Sequence, residues 1–324
     1  MKRILFALAA ALTMTMAMAD NFGIAGGGGK AQGSTYSNMI ETLKGICVHP
    51  EMPLEEVNTS GGIENLAKLK DNQIPSAWLP SDLLFAAKMD NPDSVATIKT
   101  LVTLHTEEVH LIARDGVKTE GGINLGRFAN IGGKNVEFNT PESLRGRPVG
   151  AVGGSLRTAQ VINGTLRIGF IPKQYPSNTE LIKALESGQI DAAIWTVGAP
   201  SDAIKALTPG RFKLLPLRLN ADLERVYKSV RLQYDNLNQG QSVDSIATPA
   251  VWAVQPFESA EMNSVLAFYR DCFNKNLPKI KDKIGVHRKW KTIVANDPGV
   301  WPLYEIPGSA IVKSVAPTKQ MIKK

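Results

Sequence analysis

The chain has 324 residues and a formal net charge of +7, and 43% of its residues are hydrophobic. This length allows two domains of ordinary size with substantial cores, and the apolar fraction excludes a disordered protein. The two cysteines are too few for a disulfide-scaffolded miniprotein or a cysteine-rich zinc module.

The N-terminus has the pattern of a secretory signal peptide. Lys2 and Arg3 precede an apolar run, and Ala17-Met18-Ala19 has the small-x-small pattern of a cleavage site. A transmembrane anchor is disfavoured because the run is short, and no later segment of the sequence approaches about 18 uninterrupted apolar residues. The pattern therefore predicts a signal peptide at residues 1–19 and a soluble, periplasmic protein.

The net charge does not indicate a nucleic-acid partner. Removal of the signal peptide leaves 35 of the 37 basic residues against 30 acidic ones. In the C-terminal tail, predicted at residues 311–324, Lys319, Lys323 and Lys324 follow Ser314 without an acid. The body is thus close to neutral and lacks the dense basic stripe that a nucleic-acid surface shows.

Export would place Cys47 and Cys272 in an oxidising compartment, where disulfides persist. The sequence does not show whether the two Cα atoms approach within bridging distance. A disulfide and a pair of buried, inert thiols both remain open.

Apolar runs, helical faces and turn residues alternate through the first half of the chain. The predicted elements are, in order, a strand at 22–25, a helix with Tyr36, Met39, Ile40 and Leu43 on one face, strand positions at Cys47-Val48 and Val57, a helix with Ile63, Leu66, Ala67 and Lys70 on one face, a strand at 77–79, a helix at 83–87 and a strand at 109–113.

The second half repeats this alternation. The predicted elements are a helix start at Thr140-Pro141-Glu142, strands at 148–152, 190–195, 212–217 and 250–254, a helix around 181–185 closed by Gly188, and a helix from about 259 to 274. Strand–turn–helix units in series predict an α/β fold with mostly parallel sheets, in two lobes. Residues 116–139 are expected to form a decorated loop or hairpin region.

Four predicted strand-to-helix turns carry small and hydroxyl residues. They lie at 33–36, 59–62, 153–155 and 196–199. In open parallel sheets ligands bind beyond the carboxyl ends of the strands, and helix N-termini gathered there suit a carboxylate or another small anion. A glycine-tolerant surface turn is the alternative for the glycine-rich segment at 26–36, which has no Gly-Lys-Ser/Thr phosphate loop and only a weak dinucleotide pattern.

These motifs resemble those of the solute-binding subunits of TRAP transporters, of the TAXI type. The matching segments are Gly33-Ser34-Thr35-Tyr36-Ser37, Thr59–Leu66, Pro80-Ser81-Asp82, Glu108–Arg114, Ser143–Val149, and Ile190-Asp191-Ala192 through Gly198-Ala199-Pro200. The sequence departs from the family's motifs at Ser37, Gly62 and Pro80, and residues 30–32 lengthen the first turn.

The resemblance implies a type II periplasmic-binding-protein clamshell, in which each lobe is a mostly parallel sheet flanked by helices. We expect a discontinuous lobe I at 20–113 plus 247–310 and a lobe II at 114–246, with the first crossing just after Ile112–Arg114 and the return near Ala247–Ala250. The implied function is capture of a small organic anion, a carboxylate or an amino acid such as glutamate, and its delivery to the permease subunits of a TRAP-type membrane transporter. A periplasmic sensor that signals to a membrane receptor is the alternative. The protein is expected to be a monomer.

The candidate ligand contacts come from these turns and from the strand and helix ends beside them. They are Gly33, Ser34, Thr35, Tyr36, Ser60, Gly61, Ser81, Asp82, Ser155, Arg157, Thr158, Trp195, Gly198 and Ala199, with Lys30 as a second cation. Several have a structural alternative: helix capping for Ser34, Thr35, Ser81 and Asp82, core packing for Tyr36 and Trp195, and a solvated surface for Arg157 and Lys30.

An enzyme is disfavoured. The four histidines show no metal-ligand spacing, and the sequence contains no Gly-x-Ser-x-Gly nucleophile turn. We therefore expect no catalytic residues, no metal and no cofactor.

Overall fold

The computed structural model describes residues 21–27, 34–116, 118–120, 123–124, 130–131 and 134–307. The predicted signal peptide, the tail at 311–324, Lys30 and Gly33 lie outside these residues. Within the described ranges, no helix has the length and apolar content needed to cross a bilayer.

Fourteen strands and seven α-helices alternate along the described chain. The strands are β1 Phe22–Ala25, β2 Leu54–Val57, β3 Ser76–Pro80, β4 Lys99–Arg114, β5 Lys118–Glu120, β6 Ile123–Asn124, β7 Asn130–Ile131, β8 Lys134–Val136, β9 Pro148–Val152, β10 Ile171–Tyr175, β11 Ala192–Val197, β12 Phe212–Leu214, β13 Lys228–Leu232 and β14 Val243–Val254. The helices are α1 Thr35–Lys44, α2 Gly62–Lys70, α3 Ser81–Asp90, α4 Gly154–Leu166, α5 Asn178–Ser187, α6 Asp202–Lys205 and α7 Ala260–Asp282.

Ten of these strands form one mixed sheet that has the same strand order in its two halves. The first half reads β2-β1-β3-β14-β4, and the second reads β10-β9-β11-β4-β14, so that β4 and β14 belong to both; β12 also pairs with β4, and β13 with β14. In each half the first three strands are parallel, and the strand beside the third is antiparallel to it. The two-lobed α/β fold class predicted from the sequence is confirmed, with parallel outer strands joined through the antiparallel pair of β4 and β14.

Strand β4 serves the cores of both lobes. Its residues Leu101–Leu104 pack in a core with α1 and α7, whereas Val109, Leu111 and Ala113 pack in a core with α4 and β9. The change in core membership falls at residues 105–108, earlier than the crossing expected after Ile112–Arg114. The reason is that β4 is a single strand of 16 residues, so the chain passes between the lobes inside a strand and not after one.

Strand β14 makes the return in the same way. Ile246 belongs to the core of the second lobe, and Ala250 and Trp252 belong to that of the first. This change of core lies beside the one in β4, because Ala247 pairs with Glu108 and Pro249 pairs with Thr106.

Helix α1 follows its predicted face, whereas α2 does not. Tyr36, Met39, Ile40 and Leu43 are all buried. In α2 the buried residues are Asn65, Leu66 and Leu69, while Ile63 is exposed, so the predicted face of Ile63, Leu66, Ala67 and Lys70 is wrong. The apolar pattern does not predict the buried face of α2, because this face contains the polar side chain of Asn65. Asn65 Nδ2 donates to the carbonyl oxygens of Gly26 and Trp78, both at 2.8 Å.

The disulfide that the sequence left open is present. Cys47, in the segment after α1, is bonded to Cys272 on α7, with a Cα–Cα distance of 5.8 Å. Both cysteines pack against the core of the first lobe. The region at 116–139 contains two small antiparallel pairs, β5 with β8 and β6 with β7, which agrees with the hairpin alternative.

Candidate functional site

The carboxyl ends of the parallel strands in both lobes point toward the middle of β4 and β14. At the end of β3, Pro80 pairs with Ala250, and at the end of β11, Val197 pairs with Glu108. Ala247 pairs with the same Glu108 from the other side of β4. The strand ends, where open α/β sheets bind ligands, therefore converge on the place where the chain passes between the lobes.

Asp82 joins the two lobes at this place. It is 1% exposed, and its Oδ2 accepts hydrogen bonds from Thr158 Oγ1 at 2.6 Å and from Tyr227 Oη at 3.3 Å, both in the second lobe. Its backbone N–H donates to Thr248 Oγ1 at 3.2 Å. Burial raises the pKa of the Asp82 carboxyl group, and hydrogen bonds from Thr158, Tyr227, Thr248 and the Leu83 N–H oppose that rise. Among the described residues, Asp82 Oδ1 has no hydrogen bond of ordinary geometry.

A second carboxyl group lies close to Asp82. Glu107 pairs in register with Thr248, and its side chain is 16% exposed. Burial and the Asp82 charge raise the pKa of Glu107 to about 7, while Tyr36 and Lys289 lower it. We call Tyr36, Asp82, Glu107, Thr158, Tyr227 and Thr248 the interlobe cluster.

Tyr36 covers the first-lobe side of the interlobe cluster. Its ring contacts His105 at 5.7 Å and Trp78 at 6.1 Å, both edge-on. The Tyr36 hydroxyl is buried and interacts with the Glu107 carboxyl group, in a contact weaker than a hydrogen bond of ordinary geometry. Burial, followed by the charges of Glu107 and Asp82, raises the pKa of Tyr36 well above its ordinary value, so this hydroxyl stays protonated and adjoins both acids.

Next to the interlobe cluster lies a buried ion pair between Lys289 and Glu108. Lys289 is 2% exposed, and its Nζ donates to Glu108 Oε2 at 2.7 Å, Glu108 Oε1 at 2.8 Å and the Thr106 carbonyl at 2.6 Å. Glu108 Oε2 also accepts a 2.6 Å bond from the Ala199 amide, which precedes the cis peptide to Pro200. The pair thus joins the C-terminal segment, β4 and the turn after β11.

The predicted contacts at the N-termini of α1 and α2 have capping roles. Ser34 is the N-cap of α1 and accepts from Ser37 N at 3.4 Å, and Thr35 is the first residue of that helix. Ser60 is exposed and donates from its N and Oγ to Glu64 Oε2, both at 2.8 Å. Gly61, with φ of +119°, is the N-cap of α2.

The predicted contacts Ser81, Ser155 and Thr158 lie together. Ser81 Oγ lies 3.4 Å from Thr248 Oγ1. Ser155 Oγ accepts from the Thr196 amide at 3.0 Å, and Thr196 Oγ1 donates to Thr158 Oγ1 at 3.1 Å. The structure therefore brings Tyr36, Ser81, Asp82, Ser155 and Thr158 to one place.

Of the remaining predicted contacts, Trp195 and Gly198 lie next to the site, whereas Arg157 is at the surface. Trp195 is 7% exposed and packs in a core of the second lobe. Gly198 faces Lys289, since a Cβ added there would lie 2.5 Å from Lys289 Cε. Arg157 points to the surface, where it pairs with Asp90 at 3.1 Å and bonds Gln160 at 3.0 Å. The structure does not bring Arg157 to the interlobe cluster.

Four residues of the site were not among the predicted contacts: Glu107, Lys289, Tyr227 and Thr248. Glu107 and Glu108 interrupt a long apolar strand pattern, and an acidic pair inside such a pattern is a usable signal. Lys289 carries no local signal, because its partners on β4 lie far away in the sequence.

The charges of the interlobe cluster differ from those expected for an anion site. The cluster contains two carboxyl groups, Asp82 and Glu107, and the nearby Lys289 is already bonded to Glu108. His105 is neutral, since burial lowers its pKa to about 3. Among the described residues, no group of three or more His, Cys, Asp or Glu side chains is placed to hold a metal ion.

The titration of Glu107 should be visible in the pH dependence of stability. Its pKa is about 7 in the folded protein and 4.5 for an exposed glutamate, so folding favours the protonated form. The contribution of the protonated Glu107 side chain to the free energy of unfolding is fully present below about pH 4.5 and is lost as the pH rises through 7. The free energy of unfolding of the wild type, measured relative to that of Glu107→Gln, should therefore decrease by about 3 kcal/mol from pH 4 to pH 8.

Urea unfolding at intermediate pH values measures this difference. Burial also lowers the pKa of His105 to about 3 and that of His110 to about 4, which destabilises the protein as the pH falls below 6.5. Both histidines are present in the variant, so their effect cancels in the comparison. A difference that does not change with pH would contradict the assignment to Glu107.

No family model matches the chain. Among solved structures, a protein from Archaeoglobus fulgidus is similar, with 13% identity, coverage of 88% of this chain and 91% of that chain, and a TM-score of 0.50. An amino acid ABC transporter substrate-binding protein of Streptococcus pneumoniae bound to L-arginine has 13% identity, coverage of 84% and 95%, and a TM-score of 0.45. A histidine kinase sensor domain with similarity to periplasmic binding proteins has 13% identity, coverage of 85% and 97%, and a TM-score of 0.49. Likeness at this level of identity concerns the fold alone, and the similarity to the Archaeoglobus fulgidus protein supports an α/β fold.

Proposed function

We propose that the protein is an exported solute-binding protein that captures a small molecule between its two lobes. The observation that carries the proposal is Asp82, whose Oδ2 accepts bonds from the second lobe while its Oδ1 is buried without a hydrogen bond of ordinary geometry. Buried polar atoms are normally hydrogen-bonded. A ligand held where the strand ends of both lobes meet would supply the missing partner.

Closure of the two lobes would couple capture to recognition by a partner. The only covalent links between the lobe cores are β4 at residues 105–108 and β14 at 247–249, as far as the described residues show. We propose that these two adjacent strands are the hinge and that they set the lobe boundaries. Ligand binding would then select the closed form by its higher affinity for that form.

The ligand that fits best is a small molecule with a carboxylate, such as an amino acid. The N-termini of α1, α2 and α4 follow strand ends at the site, and free N–H groups there attract a carboxylate. The acids of the interlobe cluster suit a positively charged group, which a simple organic anion lacks. An amino acid such as glutamate satisfies both requirements.

The partner that we propose is a membrane permease of the TRAP type. Support comes from the TAXI-type motifs in order along the chain and from the predicted signal peptide at 1–19. A periplasmic sensor that presents its ligand-bound form to a signalling receptor is the second candidate, because it needs the same fold. A neighbouring gene for a multi-span permease favours transport, and one for a histidine kinase favours sensing.

A thermal-shift panel of free amino acids, dicarboxylates and other small solutes tests the proposed function. A ligand at about 100 times its dissociation constant should add about 2.7 kcal/mol to the free energy of unfolding, and it should be recovered unchanged afterwards. If no solute in the panel raises the melting temperature, the proposed function is wrong. If the bound solute is converted, the protein is an enzyme.

A further inference from the structure

The segment at 287–301, which follows α7, is fixed in the first lobe near both of its ends. Trp290 and Ile293, near its start, belong to the core with α1 and α7. Trp301, at its end, packs in the core with α2 and α3, and its Nε1 donates to the Ile98 carbonyl oxygen at 2.8 Å. We call residues 287–301 the strap, because between these two apolar anchors the segment reaches the second lobe.

The first attachment of the strap is to the turn after β11. Arg288 Nη2 donates to the carbonyl oxygen of Pro200. The turn is itself fixed in the second lobe, because the Ser201 N–H donates to the Tyr234 hydroxyl at 3.0 Å and Tyr234 packs in a core of that lobe. The buried ion pair of Lys289 ends on the same turn. The start of the strap therefore connects an apolar anchor in the first lobe to a fixed carbonyl group in the second.

The second attachment is an ion pair between Asp297 and Lys228. Lys228 lies on β13, whose Leu232 packs in a core of the second lobe, and the two charged side chains are 15% and 39% exposed. Asp297 Oδ1 accepts from the Gly299 N–H at 2.9 Å. Gly299 has a φ of +65°, and a Cβ there would lie 2.5 Å from Thr103 Oγ1, so the turn requires glycine. The backbone of the strap is thus shaped to present Asp297 to the second lobe.

We infer that the strap is a noncovalent tie between the lobes that favours their closed arrangement. The structure shows the lobes closed on each other, since Asp82 of the first lobe bonds Thr158 of the second. Rotation about β4 and β14 would move Pro200 and Lys228 away from the strap. Partly exposed charged contacts are individually weak, so they can break and re-form while the apolar anchors stay in place. The inference rests on the proposed function in that it needs the hinge proposed there.

Distances between the lobes test the inference in the full chain. Spin labels at Lys70 on α2 and Lys183 on α5, which are exposed positions in different lobes, report the interlobe distance by double electron–electron resonance. In the unliganded protein, Lys228→Met and Asp297→Asn should each change the ratio of open to closed distances about twofold in favour of open. Arg288→Ala combined with Lys228→Met removes both attachments and should change it about fivefold. A distance distribution that is the same in the wild type and in all three variants would overturn the inference.

Two controls separate the tie from local damage. Lys228→Met and Asp297→Asn remove the same contact from opposite lobes, so their effects on the distance should not add in the double variant. Lys291→Ala, at an exposed position of the strap, is the matched control for Arg288→Ala and should leave the distances unchanged. If Asp297→Asn disturbs the turn at Gly299, Lys228→Met decides alone.

The thermal-shift panel on the same variants without labels distinguishes the two proposals. A solute that raises the melting temperature while the interlobe distances do not respond to the variants would overturn the strap and leave the proposed function standing. Distances that respond as expected while no solute binds would support the strap and overturn the proposed function.

Discussion

Replacing Cys47 and Cys272 with alanine should lower the free energy of unfolding by about 5 kcal/mol. The two cysteines are 225 residues apart in sequence, and a cross-link that closes so long a loop removes much conformational entropy from the unfolded chain. Proteins of this kind have about 5–15 kcal/mol of total stability, so the loss is a large fraction. Urea unfolding of the oxidised wild type and of the double alanine variant measures the difference.

Reduction of the wild type provides the control for that experiment. Reduced wild type and the double alanine variant should unfold at nearly the same urea concentration, because both lack the cross-link. A double variant as stable as the oxidised wild type would show that the bond between α7 and the segment after α1 does not constrain the unfolded chain. A single Cys272→Ala variant should resemble the double variant.

Replacing Lys289 with methionine should cost about 4 kcal/mol of stability. Lys289 is 2% exposed, and it is the cation that balances Glu108, whose side chain is 12% exposed. Removal of one partner of a buried pair leaves the other charge without compensation, and such losses are about 3–5 kcal/mol. Chemical denaturation at pH 8 gives the value.

A double-mutant cycle separates charge compensation from packing. The variant Lys289→Met with Glu108→Gln contains no uncompensated charge, so it should regain most of the stability that Lys289→Met loses. Lys291→Met, on the same short helix but at an exposed position, is the matched control and should change stability little. A double variant as unstable as Lys289→Met alone would show that Lys289 acts through packing against Gly198.

The sequence predicted the elements whose apolar pattern is local. The face of α1 and strand β9 are where the pattern placed them, because each carries its own local signal. The strand predicted at 190–195 runs from Ala192 to Val197, two residues later than the apolar pattern indicated. Strand β4 was predicted only at 109–113, although it begins at Lys99, because Thr106, Glu107 and Glu108 interrupt the apolar run. Those interruptions are the residues at the site.

The candidate site was predicted in part. The turn after β9 pointed to Ser155, because small and hydroxyl residues at strand ends are a local pattern, and the resemblance at Pro80-Ser81-Asp82 pointed to Ser81 and Asp82. Thr248 and Tyr227 were missed, since they come together with Asp82 only through the return of the chain in β14. Contacts between residues that are far apart in the sequence produce no local sequence pattern at either residue.

The position of β14 has a consequence for how the protein is made. In the sheet, β14 lies between β3 and β4, since Ala250–Val254 pair with β3 and Ala247–Val254 pair with β4, yet it is the last strand of the sheet in the chain. During synthesis the facing edges of β3 and β4 have no partner strand until residues 243–254 have emerged, and unpaired edges of that kind are templates for aggregation. The first lobe is therefore completed after the second, and a nascent chain that stops before Val243 should depend on chaperones to remain soluble.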